Sequence, residues 1–247
     1  MISTARYTCR IAASDSDVVA AQELRFQVFN LELEEGLDHS YLSNLDRDRF
    51  DEVCKHLIVK EEETGNVIGT YRFQSGTVAR ANHGYYSEQE FDLSNLDVYR
   101  TQVLELGRAC IHRDHRNISV LNLLWREIAR YATENGLRFL IGCSSLTSQD
   151  PVYGLETFNY LKNKNHLVSK HLETPPRPAF ECLDTSNPRS QPNNQSVKIP
   201  RLLGAYLLIG AKIGGRPAID REFKTIDFLT LLDLDSVPLK VYRRYLT

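Results

Sequence analysis

Glu105 stands inside an otherwise apolar run, Val103 to Ile111. Unless it is paired, a carboxylate in such a place loses water, rises in pKa and can take a proton near neutrality. The same run passes Gly107 and Arg108, then crosses His112-Arg113-Asp114-His115-Arg116-Asn117 into a long amphipathic segment opening at Ile118. A strand feeding a helix N-terminus focuses unpaired N–H groups, on which a phosphate or pyrophosphate can settle. Arg113 and Arg116 precede that helix, where they can neutralise phosphoryl oxygens. The pattern therefore suits a base beside a phosphate-bearing donor. It equally suits a structural crossover with a solvated basic turn, in which Glu105 pairs with Arg108 or Arg72, and the residues alone leave both open. Strict alternation puts Glu105 and Arg108 on opposite faces of a strand; a bulge near Gly107 would bring them to one side.

Other candidates are weaker. His112-x-x-His115 has no further ligands in order and makes a poor metal set, so no metal is expected. Cys110, two residues from His112, reads as a core thiol. No Walker motif, dinucleotide fingerprint or nucleic-acid module is present.

The elements that must position these residues alternate between strand and helix. Asp15 to Glu35 reads as a helix stopped by Gly36, and His56–Lys60 with Val67–Phe73 as a hairpin around Glu63-Thr64-Gly65-Asn66. Leu37 to Arg49 reads as a polar loop, Ser75 to Asn82 as irregular, and Ser87 to Leu93 as a short helix. Val103–Ile111 is a strand and Ile118–Glu134 a helix with Leu121, Leu124, Trp125, Ile128, Tyr131 and Ala132 on one side, ended by Asn135-Gly136. Phe139–Cys143 is a short buried strand, Pro151–Leu161 a helix and Leu167–His171 a strand. Residues 173–200 form a Pro/Asn/Ser-rich excursion. A helix from Pro200, a strand over Thr225–Leu232 and a terminal helix over Leu239–Tyr245 follow. This order predicts one layered α/β or α+β domain over residues 1–247.

Composition narrows the function. Lys and Arg total 30 against 32 Asp and Glu, a formal charge of -2, which argues against a surface that tracks nucleic acid. The five cysteines show no CxxC spacing, so a reducing, cytoplasmic setting is expected. No apolar run reaches the ~20 residues of a spanning helix, and Met1 to Asp17 lacks the apolar core of a signal peptide. Leu202 to Ile213 is the longest apolar stretch and could lie on a membrane surface.

Several segments carry a resemblance: Arg25-Phe26-Gln27-Val28-Phe29, the acidic stretch Asp46 to Asp51, Glu105-Leu106-Gly107-Arg108, and Gly204-Ala205-Tyr206 with the Ile-Asp-x-x-Phe-x-x-x-Asp spacing of Ile219 to Asp227. The chain resembles the Gcn5-related N-acetyltransferase (GNAT) superfamily. Within it, the likeness is to the ornithine N-acyltransferases, the hemolysin-like branch, and more distantly to the acyl-homoserine-lactone synthases. It covers most of the chain, including residues 200–247, whose pattern is specific to the ornithine branch. In the superfamily an Arg/Gln-x-x-Gly-x-Gly/Ala loop holds the pantetheine pyrophosphate. Here that pattern falls on Arg116 to Leu121, with Ser119 and Leu121 in the glycine slots. This departure disfavours acetyl-CoA, because glycine lets backbone approach phosphate closely. It is less adverse to acyl carrier protein, whose phosphopantetheine has one phosphate and no adenosine.

The resemblance implies a GNAT-like, mixed and strongly twisted sheet flanked by helices and splayed around its fourth strand. It implies transfer of a long (3-hydroxy)acyl chain from acyl carrier protein, alternatively acyl-CoA, to the α-amine of an amino acid, ornithine first, in amino-lipid synthesis. The alternatives are lactone synthesis or a non-catalytic acyl- or carrier-protein-binding module. Glu105 is then the expected base. Arg108, Ala109, Cys110, Ile111, Arg113, Arg116, Ser119 and Ser144 are expected on the donor side, with backbone N–H groups of Ala109 to Ile111 polarising the thioester carbonyl. Asp46, Asp48 and Asp51 are expected to meet the acceptor's cation, and Arg25 and Arg72 its carboxylate. Asp220 and Asp227 are read as supporting residues. No permanently bound cofactor is expected, and a peripheral membrane contact would release a lipid product.

Overall fold

The computed structural model describes residues 2–183 and 197–245; the middle of the excursion expected at 173–200 lies outside them. In chain order the elements are β1 (Ile2–Ser3), β2 (Tyr7–Ile11), α1 (Asp15–Phe26), β3 (Lys55–Glu61), β4 (Val67–Ser75), α2 (Gly76–Ala81), β5 (Val103–Ile111), α3 (Ile118–Glu134), β6 (Phe139–Leu146), α4 (Pro151–Asn163), α5 (Arg201–Leu208), β7 (Lys212–Ile213), β8 (Ala218–Asp220), β9 (Thr225–Asp233) and α6 (Leu239–Tyr245). The strands form one sheet in the order β1-β2-β3-β4-β5-β6-β9-β7, with β8 also on β9. Every pairing is antiparallel except β5 with β6.

That one parallel contact shapes the molecule. β5 and β6 pair only where Val103–Glu105 meets Phe139–Ile141. Beyond it β5 follows β4 to Ile111 while β6 follows β9 to Leu146. The sheet thus opens into a V around its fourth substantial strand, as the resemblance implied. Gly142 sits at the apex: a Cβ there would come within 2.1 Å of the Leu106 carbonyl oxygen. Only glycine lets the strands meet so closely before they part.

α3 fits its expected bounds, because every feature of a stable helix is local. Asn117 caps it, accepting from the Val120 N–H. Val120, Leu123, Leu124, Ile128 and Ala132 recur at helical spacing and are buried against Leu57, Val59, Tyr71, Phe73 and Leu104. Each such large apolar side chain contributes about 1.5–3 kcal/mol. Gly136, at φ +63°, turns the chain out. On the opposite face of the sheet, Val103 packs with Tyr85, Phe91 and Leu96, and α1 with the turn that follows it places Leu24 and Val28 with Cys110 and Phe223.

Several expectations change. Residues Ser75 to Asn82 contain α2, whose cap is the Ser75 hydroxyl accepting from Val78 N–H. α1 gives way at Gln27 to a π-helical stretch through Glu32. Leu167–His171 is not a strand; it has one isolated bridge, Leu167 to Ile213, and then a tight 3-10 turn. β6 runs three residues past Cys143 because β9 keeps pairing with it to Leu146. β1, β2, β7 and β8 were not anticipated. Among the described residues no helix is long and apolar enough to cross a membrane.

Candidate active site

The bulge anticipated near Gly107 is present. Arg72 on β4 faces Gly107, but Thr70 faces Cys110, so β5 carries one extra residue. Arg108 absorbs it with φ of +50°, an uncommon conformation for a side chain of this size. Glu105 and Arg108 consequently reach the same residue: the Tyr86 N–H donates to Glu105 Oε2 at 2.8 Å, and the Arg108 guanidinium lies 4.9 Å from the Tyr86 ring centroid. A 4.4 Å contact with the Phe223 ring holds Arg108 from the other side.

Glu105 is buried and accepts from protein donors on both oxygens. Gln74 Nε2 and Tyr86 N–H reach Oε2, at 2.9 and 2.8 Å. Ser87 N–H and Oγ reach Oε1, at 2.8 and 2.6 Å. The pairing of Glu105 with Arg108 or Arg72, left open above, is not what the structure shows: its partners are the neutral donors of Gln74, Tyr86 and Ser87.

The arginines and aspartates expected at the acceptor form a buried lattice of their own. Arg25 pairs with Asp46 at 2.9 Å and Asp51 at 2.8 Å. Arg72 reaches Asp48 at 2.6 Å and Asp51 at 3.2 Å. Arg108 reaches Asp46 at 3.2 Å and Asp48 at 3.0 Å. Burial works against ionising Asp51, yet Arg25 and Arg72 outweigh it and hold the carboxyl well below its ordinary range. Burial likewise opposes ionised Asp48, and Arg72 with Arg108 again wins. The three charges of each sign neutralise one another. Arg25, Asp46, Asp48 and Asp51 do not line the cavity described next, so they position Arg72 and Arg108 rather than meet a ligand.

A cavity of about 710 Å³ occupies the opening between β5 and β6. One end is apolar, walled by Tyr71, Phe73, Leu106, Trp125, Ile128, Leu140, Tyr206, Ile209 and Leu232. The Tyr71 and Tyr206 hydroxyls hydrogen-bond to each other there, joining α5 to the sheet. The other end is polar and holds Arg72, Gln74, Tyr86, Glu105, Arg108, Ser144, Ser145, Asp220 and Asp227. The cavity joins the two ends across the edges that β5 and β6 do not give to each other.

The polar end is rich in carboxyls that lack a cation of their own. Burial lifts Asp227 to about 6, the Ser145 hydroxyl opposing and Asp220 reinforcing. Glu90, just behind it, is pushed well above the carboxylate range by burial, then by Asp227 and Asp220. Glu35, another lining residue, is pushed up to about 7 by burial, with the Thr147 hydroxyl opposing and Asp227 adding. Burial and the surrounding carboxyls push the Cys143 thiol well up. Among the described residues, Glu90, Cys143 and Asp227 bring potential ligand atoms within 4.8 Å of one another. Glu35 and Glu90 escaped sequence reasoning because they lie far from Asp227 in the chain, and Asp220 and Asp227 were read only as supporting residues.

The expected donor residues divide. Arg108, Ala109, Arg116 and Ser144 line the cavity, and Ser144 Oγ accepts from the Thr230 hydroxyl at 2.8 Å. Arg116 is held by Glu32 at 2.6 Å and by the Ile111 carbonyl at 2.9 Å. Cys110 faces the α1 core instead, its thiol pushed up by burial. Ile111 does not line the cavity but packs against the α3 core. Arg113 is 73% exposed, and Ser119 is exposed on the first turn of α3; neither lines the cavity. Lys198 and Arg201 do, and were not anticipated.

A splayed mixed sheet, a helix springing from its fourth strand and a cavity through the splay define an acyltransferase of the GNAT type. Residues 24–126 match the acetyltransferase (GNAT) domain family. The L-ornithine Nα-acyltransferase of Rhodobacter capsulatus is 29% identical, spanning 98% of this chain and 95% of its own. That of Brucella abortus is 29% identical over 96% and 87%. Among solved structures, the acyl-homoserine-lactone synthase LasI superposes with a TM-score of 0.57 at 14% identity, over 98% of this chain and 96% of its own. FeeM, an N-acyl amino acid synthase from uncultured soil microbes, does so with 0.57 at 11% identity, over 98% and 94%. Residues 24–126 thus carry a GNAT domain, and the chain is similar to the L-ornithine Nα-acyltransferases over nearly its full length.

Proposed function

We propose that the chain moves a long acyl group from the phosphopantetheine thioester of acyl carrier protein to the α-amine of ornithine. The observation that carries this reading is the two-ended cavity. Its apolar end between α3, α5 and the sheet suits an alkyl chain, and its charged end suits an amino acid. A two-carbon acyl group would leave most of that apolar wall against water. The homologues named for ornithine acylation match this chain over nearly its full length, which favours ornithine as the acceptor.

The thioester would enter between the strands, its carbonyl against the free edge of β5 and its alkyl chain toward Trp125 and Tyr206. Arg116, Lys198 and Arg201 offer positive charge to the single phosphate of the carrier arm. The acceptor's α-ammonium loses a proton by way of water to Glu105, the free amine attacks the thioester carbon, and the carrier thiol departs with a proton. Atoms balance without a metal or redox partner. The product is an amphiphile, which suits an enzyme that works against the membrane receiving it.

The test is mass spectrometry of lipid extracts from cells expressing the wild type and the Glu105→Gln variant. The reading expects N-acylornithine with the wild type and little with the variant. Extracts without any acylated amino acid, at normal expression, would contradict it.

A further inference from the structure

Asp227, Asp220 and Glu90 gather at the polar end of the cavity without a cation to match them. Asp227 is 4% exposed, lines the cavity, and has no hydrogen-bond partner for Oδ1. Glu90, 2% exposed, likewise leaves Oε2 without a partner. Asp220 is better held: Oδ1 accepts from the N–H groups of Glu222 and Phe223, at 2.9 and 2.8 Å, and Oδ2 from the Tyr86 hydroxyl at 3.5 Å. Arg108 and Arg72 are the cations facing this end, and both are committed to Asp46, Asp48 and Asp51. A buried oxygen with no partner costs free energy, and two neighbouring carboxyls cost more. A ligand that brings a positive charge and N–H donors removes both costs.

We propose that Asp227, supported by Asp220 and Glu90, recognises the side-chain ammonium of the acceptor, and so selects cationic over neutral amino acids. This rests on the function proposed above and names the part of the cavity that sets its specificity. The ammonium donates to Asp227 Oδ1, an oxygen that no protein donor reaches. An ammonium suits the place, because its N–H groups match carboxyl oxygens that have no other donor. A neutral side chain of the same length leaves the carboxyls unmatched, and sites built around buried polar groups reject such analogues strongly.

The experiment compares kcat/KM for ornithine and for norvaline, its analogue without the terminal amine, in the wild type and in Asp227→Asn and Asp220→Asn. Wild type should favour ornithine by at least about 100-fold. Asp227→Asn should collapse that ratio by about 100-fold, losing ornithine turnover while norvaline turnover rises; Asp220→Asn should move it the same way by less. Equal loss on both acceptors in a folded variant would overturn the proposal. So would a wild type that uses norvaline as well as ornithine, a result that needs no variant. Activity abolished by a chelator and restored by zinc would assign the cluster to a metal and overturn it too. A wild type that acylates neither acceptor would instead refute the function on which the proposal rests.

Discussion

Glu105 and Ser87 are joined twice through one oxygen: Oε1 accepts from the Ser87 N–H at 2.8 Å and from its hydroxyl at 2.6 Å. Tyr86 and Gln74 occupy the other oxygen. A carboxylate held by neutral donors keeps its charge in place, at the junction of the apolar and polar ends. It favours an amine beside it and can pass a proton onward through water.

Glu105→Gln turns an acceptor-only group into one that must point an NH2 at N–H donors. kcat should fall by about 100-fold or more, and stability by about 1–3 kcal/mol from the mismatched donors. Steady-state rates and thermal melts on the same sample separate the two effects. Turnover at the wild-type rate would remove Glu105 from the reaction.

Gly142 fixes the apex of the V. Gly142→Ala puts a methyl into the Leu106 carbonyl and should cost about 1–3 kcal/mol, since overpacking forces backbone to move. The displaced strands border the donor slot, so KM for the acyl donor should rise as well. A variant with unchanged melting temperature and donor KM would show that the strands part for another reason.

Arg25 is wholly buried between Asp46 and Asp51. Arg25→Met leaves those carboxylates short of a partner, and should cost about 3–5 kcal/mol at neutral pH. The sign with pH follows from Asp51, whose carboxyl lies below its ordinary range when folded. Its stabilisation is present above the ordinary carboxylate range and is lost as pH falls through and below about 4. The variant should therefore lose less stability than wild type on acidification. Urea denaturation at several pH values measures both, and a neutral-pH loss under about 1 kcal/mol would contradict the lattice's role.

Asp227 predicts a second pH dependence. Burial lifts it to about 6, and it faces Glu90, Asp220, Glu35 and Arg108. As pH rises through that value Asp227 gives up its proton and gains the charge that an ammonium needs. The ornithine-to-norvaline ratio in kcat/KM should rise between about pH 5 and 7.5. Taking the ratio cancels ionisation of the α-amine, which both substrates share. A ratio that is flat across this range in the wild type would contradict the assignment.

What was legible in the chain followed from local chemistry. The mainly apolar run of β5, the helical spacing of α3 with Asn117 at its cap, and the β3–β4 turn all state their structure within a few residues. β2 was overlooked although Tyr7-Thr8-Cys9-Arg10-Ile11 alternates apolar and polar residues, the period of a half-buried strand. At the site, Glu105 was singled out from its setting and the family resemblance, and the bulge was required once Glu105 and Arg108 were to share a face. Which partners the charges take was not legible. Arg25, Asp46 and Asp51 pair across long stretches of sequence, and Glu90, Asp220 and Asp227 meet only after the sheet is assembled. Charge pairing of this kind is a property of the packed molecule.

The central claim is tested most directly by giving the purified chain ornithine and an equimolar mixture of acetyl-CoA and long-chain acyl carrier protein, then weighing the products. The account predicts ornithine carrying the long acyl chain on its α-nitrogen, with acetylornithine at trace level. Acetylornithine as the main product, or acylation on the δ-nitrogen, would contradict it.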